Sequence, residues 1–172
     1  MKRIALVCTL ALILTMVSVP NSQALVPSCS GIMTNPAIKK GVLLPCLDGK
    51  RSLIYQGIKG PAMINVWGSW CDPCKEEIPL LVQAAKTKKI QIIGIDVEEK
   101  NNAAGAKFVA THAMTWPQLA DLKGTTKGIF GMGVPVTRFI DANGKSVYEK
   151  IGAFKSFAEI KKAVKQYLGL TI

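Results

Sequence analysis

The sequence predicts an α/β fold, a small central mixed β-sheet flanked by helices on both faces, with a β-hairpin added at its N-terminal side. Three observations carry this. Two continuous apolar runs of strand length, 61–67 and 90–97, are each followed by a helical pattern, the order expected of a parallel pair joined by a right-handed crossover. A strand–turn–strand pattern and an amphipathic helix close the chain, and a further hairpin pattern precedes the first apolar run. With 172 residues and 49% hydrophobic composition, the chain is long enough for one domain with a real core and too short to suggest two.

Residues 1–24 read as an export signal and not as part of that core. Lys2 and Arg3 give a basic start, Ile4 to Val19 is apolar, and Ser22-Gln23-Ala24 supplies small residues around a cleavage site. The apolar stretch of 16 residues, broken by Thr9, Thr15 and Ser18, is shorter than the roughly 20 needed to span a bilayer, which argues for cleavage over anchoring. Residues 25–41, with Pro27, Gly31, Pro36 and Gly41, read as an irregular arm. From Val42 the pattern sharpens into the domain expected over 42–172.

Asp48-Gly49 between the apolar runs Val42–Leu47 and Arg51–Ile54 favours a tight hairpin. Pro61–Trp67 is apolar throughout, as in a strand covered on both sides. A helix is predicted from Asp72 or Pro73, with Ile78, Leu81, Val82 and Ala85 on one face and proline tolerated in the first turn. Ile90–Val97 is the second buried strand, and Ala103–His112 is a helix carrying Phe108 and Val109. Val136–Ile140 and Val147–Ile151 flank the turn Asp141-Ala142-Asn143-Gly144. The last helix opens at Ser156, where Glu159 three residues on can complete a capping box, presents Phe157, Ile160, Val164 and Leu168, and ends at Gly169.

The net charge is +11, and losing Lys2 and Arg3 with the signal leaves +9. Such a field attracts anionic partners, but lysines such as Lys86, Lys88, Lys161 and Lys165 are dispersed and not interleaved with aromatic residues. They read as a solvated face, and nucleic acid is not expected as a partner.

Cys8 falls in the signal, which leaves Cys29, Cys46, Cys71 and Cys74. An even number in an oxidising compartment allows disulfides, with three connectivities that spacing does not separate. The pair Cys71 and Cys74 sits where a strand turns into a helix. There the first sulfur meets unpaired backbone amides and the positive end of the helix dipole, which favours thiolate over thiol. Only the thiolate attacks disulfides, so Cys71 is the candidate nucleophile and Cys74, one turn inward, the resolving partner. A zinc site would need a second ligand pair with suitable spacing; Cys29 and Cys46 are too far apart in sequence and His112 is the single histidine, so no metal is expected. Asp72 places a carboxylate beside the nucleophile, which raises its pKa and pushes toward a reductant. One pKa unit is worth about 30 mV, against the roughly 150 mV between reductants and oxidants of this chemistry, so Asp72 does not decide the direction.

The block Asn65-Val66-Trp67-Gly68-Ser69-Trp70-Cys71-Asp72-Pro73-Cys74-Lys75-Glu76-Glu77-Ile78-Pro79 resembles the active-site segment of the TlpA/ResA-like thioredoxins. Gly133-Val134-Pro135-Val136-Thr137, then Phe139-Ile140-Asp141 and Gly144, resembles the second signature of the same family. The resemblance implies a thioredoxin-like fold and an exported thiol–disulfide oxidoreductase whose Pro135 is cis, bringing Val134 and Pro135 against the disulfide and leaving the Val134 backbone to pair with an extended substrate. It implies that Glu77 lies beneath the sulfurs and assists proton transfer with Cys74, against the alternative of a surface Glu paired with lysine. Trp70 resembles the family tryptophan that flanks the nucleophile and covers substrate. Trp67 and Trp116 read as core, and His112 as a helix-end residue. A bond between the remaining Cys29 and Cys46 would tie the arm to the sheet and stabilise by roughly 3 kcal/mol.

The resemblance leans toward reduction, cytochrome c maturation included. The expected partners are a disulfide-containing protein substrate and an upstream membrane thiol donor, with no cofactor beyond the cysteines and the chain monomeric. The alternatives are a disulfide oxidase or isomerase, a copper carrier on the same fold, and a redox-silent binding module.

Overall fold

The computed structural model describes residues 26–131 and 133–172; the expected signal, 1–24, lies outside them. No helix among the described residues is long and apolar enough to cross a membrane.

Strands β1 (Leu43–Pro45) and β2 (Ser52–Ile54) form the antiparallel hairpin. The main sheet has β3 (Ala62–Trp67), β4 (Gln91–Val97), β5 (Gln118–Asp121), β6 (Val136–Ile140) and β7 (Ser146–Ile151) in the order β5-β4-β3-β6-β7. It is mixed: β3, β4 and β5 run parallel, and β6 pairs antiparallel with both β3 and β7. The helices are α1 (Asp72–Lys86), α2 (Asn102–Thr111), α3 (Lys127–Phe130) and α4 (Phe157–Leu168).

All six residues of β3 are buried, as its unbroken apolar sequence requires. Its side chains alternate between two cores. Met63 and Trp67 face one core with Ile78 and Leu81 of α1, Phe108 of α2 and Ile160 of α4. Ile64 and Val66 face the other, with Leu44 and Leu53 of the hairpin, Ile32 of the arm and Phe130 of α3. The three long helices therefore share one face, while the hairpin and arm cover most of the other, where α3 supplies a single turn.

Two elements have no counterpart in the sequence reading. Strand β5 is four residues long, too short to show a period, and Pro117 in front of it reads as loop; all four of its residues are nevertheless buried. Helix α3 is one turn interrupted by Gly128. Small offsets appear elsewhere. Ala84 is the fully buried residue on the last turns of α1, with Val82 and Ala85 at the margin of the core. At α4 the Ser156 hydroxyl accepts the Glu159 amide at 3.2 Å, but the Glu159 carboxylate accepts the amide of Lys155, at 2.9 Å, and not that of Ser156. Gly169 closes α4 in the left-handed conformation, φ +68°, which suits a residue without a side chain.

The arm is tied down. Cys29 and Cys46 are joined as a disulfide with Cα atoms 6.2 Å apart, Cys46 bridges to Leu119 of β5, and the Leu47 amide donates to the Gln118 carbonyl at 2.8 Å. Arg138 of β6 crosses to Glu149 of β7 and donates to the Tyr55 hydroxyl at 2.9 Å, joining the sheet to the segment after β2.

Candidate active site

The site forms where β3 hands over to α1. β3 ends at Trp67, Gly68 makes the turn, and the Cys71 amide donates back to the Gly68 carbonyl at 3.1 Å. Gly68 must lack a side chain because the Trp70 indole lies against it; a Cβ there would meet the ring nitrogen at 2.6 Å. Cys71 is the N-cap of α1, extended at φ −91°, ψ 109°, and its sulfur accepts the Cys74 amide at 3.1 Å. This is the position in which Ser or Asp caps a helix, and a thiolate there gains from the same orphan amides. The sulfurs of Cys71 and Cys74 are bonded, with Cα atoms 5.3 Å apart, and Cys74 lies deeper, 1% exposed against 4%.

The loop before β6 closes over the pair. The Val134–Pro135 bond is cis, and the Val134 carbonyl oxygen stands 3.6 Å from the Cys71 sulfur. Trp70 flanks the other side, 52% exposed, its indole N–H donating to the Val97 carbonyl at 3.2 Å.

Glu77 lies one turn beyond Cys74 and is 1% exposed. Its Oε1 accepts the Phe154 amide and its Oε2 the Asn65 side-chain amide, both at 2.9 Å. Asn65 also donates to the Thr137 hydroxyl at 3.0 Å, so β3, β6, α1 and the start of the α4 loop meet at one carboxyl group. Burial pushes the Glu77 pKa up, partly opposed by these two hydrogen bonds and by the field of Lys150 and Lys155. The surface position paired with lysine is not the one it occupies.

Asp72 stands next to Cys71 in the first turn of α1. Its side chain is 86% exposed and pairs with Lys75 at 2.7 Å, and the Lys75 hydrogen bond and charge hold its carboxyl below the usual range. The negative charge next to Cys71 is thus countered by a cation and screened by water, which weakens its pull on the sulfur. Trp67 is in the core, stacked on Phe108 with its N–H on Gln118 Oε1 at 3.0 Å, and Trp116 is buried too. His112 caps the end of α2, stacked on Phe108.

Among the described residues, Cys29, Cys46 and Asp48 are the one group of three metal-type side chains with ligand atoms within 4.8 Å of one another. With the two sulfurs bonded to each other neither is a thiolate ligand, and a metal there would require that bond to open.

The AhpC/TSA family model matches residues 42–148, which takes in the hairpin, the Cys71–Cys74 turn and the cis-proline loop. The chain belongs to the AhpC/TSA family. Within it, the chain is similar to the thiol-disulfide oxidoreductase ResA of Bacillus thuringiensis (strain Al Hakam), 33% identical over 111 residues, 62% of this chain and 63% of that protein. It therefore spans a little under two thirds of that relative's length. It is also similar to the thiol:disulfide interchange protein DsbE of Pseudomonas fluorescens biotype C, 35% identical over 108 residues, 59% of this chain and 57% of the relative. Among solved structures, MTB DsbF, in mixed oxidized and reduced forms, matches with a TM-score of 0.63 at 26% identity, over 73% of this chain and 94% of that one.

In this AhpC/TSA chain the fold also decides contacts that the sequence leaves open. The place of Asn65 as the donor to Glu77 follows only from the fold. Glu77 had a readable signal: it stands three residues after Cys74 and four before Leu81, on the stripe of α1 that faces the core. Glu99, whose Oε1 accepts the Ser69 amide at 2.6 Å, had none, because it follows Glu98 in what reads as a solvated acidic turn.

Proposed function

We propose that this chain is an exported thiol–disulfide oxidoreductase that reduces disulfides in other proteins through Cys71 and Cys74. The observation that carries the reading is the capping sulfur: Cys71 accepts an α1 amide at 3.1 Å, beside the Val134 carbonyl and the half-exposed Trp70. In the dithiol form the same amide and the helix dipole stabilise the Cys71 thiolate. That thiolate attacks one sulfur of a substrate disulfide, forming a mixed disulfide, and the second substrate sulfur leaves as a thiolate and takes a proton. Cys74, its proton passed to Glu77, then attacks Cys71, releases the other substrate sulfur and closes the Cys71–Cys74 bond. Two electrons go to the substrate, and a membrane thiol donor restores the dithiol. Burial raises the Glu77 pKa, which makes its carboxylate a better proton acceptor than an exposed one.

Val134 and Pro135 present backbone for pairing with an extended substrate segment, and Trp70 covers it. The cysteines of an apocytochrome are a substrate of this class. The chain acts as a monomer outside the cytoplasm, with residues 1–24 removed, residues 25–41 forming the arm and 42–172 the thioredoxin-like domain. The Cys29–Cys46 bond is structural.

Trapping tests the reading. Replacing Cys74 by Ala leaves the Cys71 mixed disulfide without its resolving sulfur, so partner proteins accumulate as reducible adducts that mass spectrometry names. Adducts absent, or formed equally when Cys71 is also replaced, overturn the proposal. The direction is tested by the reduction potential: a reductase lies near thioredoxin at about −270 mV, and a value near −120 mV assigns an oxidant.

A further inference from the structure

We propose that Asp96 and Glu99 are positioning residues for the dithiol, a carboxyl pair sharing one proton that clamps the Ser69 amide and so seats Trp70 and Cys71. The inference rests on Cys71 being the attacking sulfur.

Asp96 stands near the end of β4, level with Trp67 of β3 and Ala120 of β5. It is 0% exposed, and neither carboxyl oxygen has a hydrogen-bond donor. The helix α2 presses directly on it, since a methyl group at Gly105 would collide with Oδ2. An ionised carboxylate in such a place is strongly disfavoured, and it avoids that cost by holding a proton. Glu99, 8% exposed at the turn after β4, is within hydrogen-bonding reach of Asp96 and turns its Oε1 to the Ser69 amide at 2.6 Å.

The same turn grips the active-site loop a second time, through the Val97 carbonyl and the Trp70 indole. Ser69 and Trp70 are the two residues before the nucleophile, so both fastenings of that loop run to Val97–Glu99. A protonated Asp96 has an O–H to give, and Glu99 is the acceptor beside it. The chain of contacts is then Asp96 to Glu99, Glu99 to the Ser69 amide, and Ser69 through the backbone to Cys71.

The other charged groups on the packed elements stand aside from this pair. Asp121 of β5 is held by Thr125 and Thr126, Lys107 of α2 and Lys100 are exposed, and Glu98 pairs with Lys127 at 2.7 Å. Among the described residues, the charged group that acts on Asp96 is Glu99. Burial first, and then the charge of Glu99, pushes the Asp96 pKa up to about 8. Below that pH the pair shares a proton and the clamp holds; above it two carboxylates face each other and repel.

The test is the pH profile of Cys71 alkylation by iodoacetamide in the reduced full chain, for the wild type, Asp96→Asn, Glu99→Gln and Glu99→Ala. The wild type is expected to show the Cys71 ionisation and a second inflection near the Asp96 pKa of about 8. Asp96→Asn, whose amide can donate at every pH, loses the second inflection. Glu99→Ala, which removes the acceptor for Ser69, lowers the neutral-pH rate by about tenfold, short of the ~100-fold that an ångström of misplacement can cost, and Glu99→Gln, which keeps an oxygen there, recovers much of it. An Asp96→Asn profile superimposable on the wild type, or a Glu99→Ala rate equal to it, overturns the inference. An unreactive Cys71 in the wild type would instead overturn the proposed function beneath it.

Discussion

The two disulfides of this chain share a bond and little else. Cys71 and Cys74 are three residues apart at the N-terminus of a helix, where the outer sulfur meets an amide at 3.1 Å beside an exposed tryptophan. Cys29 and Cys46 are 17 apart, both 0% exposed, enclosed by Leu44, Ile64 and Leu119 among others, and the Cys29 sulfur faces the Gln118 carbonyl at 3.5 Å. Both pairs meet a carbonyl oxygen, Val134 at Cys71 and Gln118 at Cys29, so the difference lies elsewhere: an apolar shell disfavours a thiolate, and a free amide with a helix dipole favours one. On the proposed function, surroundings and not the bond divide an exchangeable pair from a fastening one.

Substitutions probe that division, beginning with the largest effect. Cys71→Ser is expected to abolish turnover of a model disulfide, in an assay coupled to a thiol donor, while leaving the melting temperature of the protein close to that of the reduced wild type. Replacing Cys29 and Cys46 together by Ser should do the reverse. It lowers stability in denaturant by about 3 kcal/mol, the loop-closure value for a span of this length, with activity per folded molecule retained. Activity lost in step with the arm bond would show that the two are not separate.

Glu77→Gln is expected to slow release of the mixed disulfide by about a hundredfold, at the lower edge of what a positioned proton acceptor contributes. The pH dependence fixes the sign. Below its raised pKa, Glu77 already holds a proton and cannot accept that of Cys74, so the wild-type release rate falls as pH drops through that range. Stopped-flow release in Glu77→Gln should lack that limb. The smallest effect is Asp72→Asn: with the charge exposed and already paired to Lys75, the potential should move by less than about 30 mV, read in glutathione buffers.

The sequence carried most of the frame because its strong signals are also its structural determinants. The apolar run at 62–67 has to be a covered strand, and the run beginning at Asp72 could cap and bury one stripe as α1. What it could not carry is what short segments and register decide. Four residues of β5 hold no period. Glu98 and Glu99 are chemically alike, yet the turn after β4 sends one outward to Lys127 and the other inward to Ser69. Asp72 illustrates a further gap: proximity to Cys71 is visible in sequence, but the Lys75 that offsets it matters only once α1 brings the two side chains together.

The proposed chemistry needs the Cys71 sulfur to be ionised in the reduced protein. Ultraviolet titration of thiolate absorbance, after reduction mild enough to leave the arm bond closed, reads this directly. One thiol should titrate at least one unit below the ordinary cysteine value of about 8.5, and the signal should vanish in Cys71→Ser. A reduced protein with no thiol titrating below that value, or one whose low titration survives in Cys71→Ser, would contradict it.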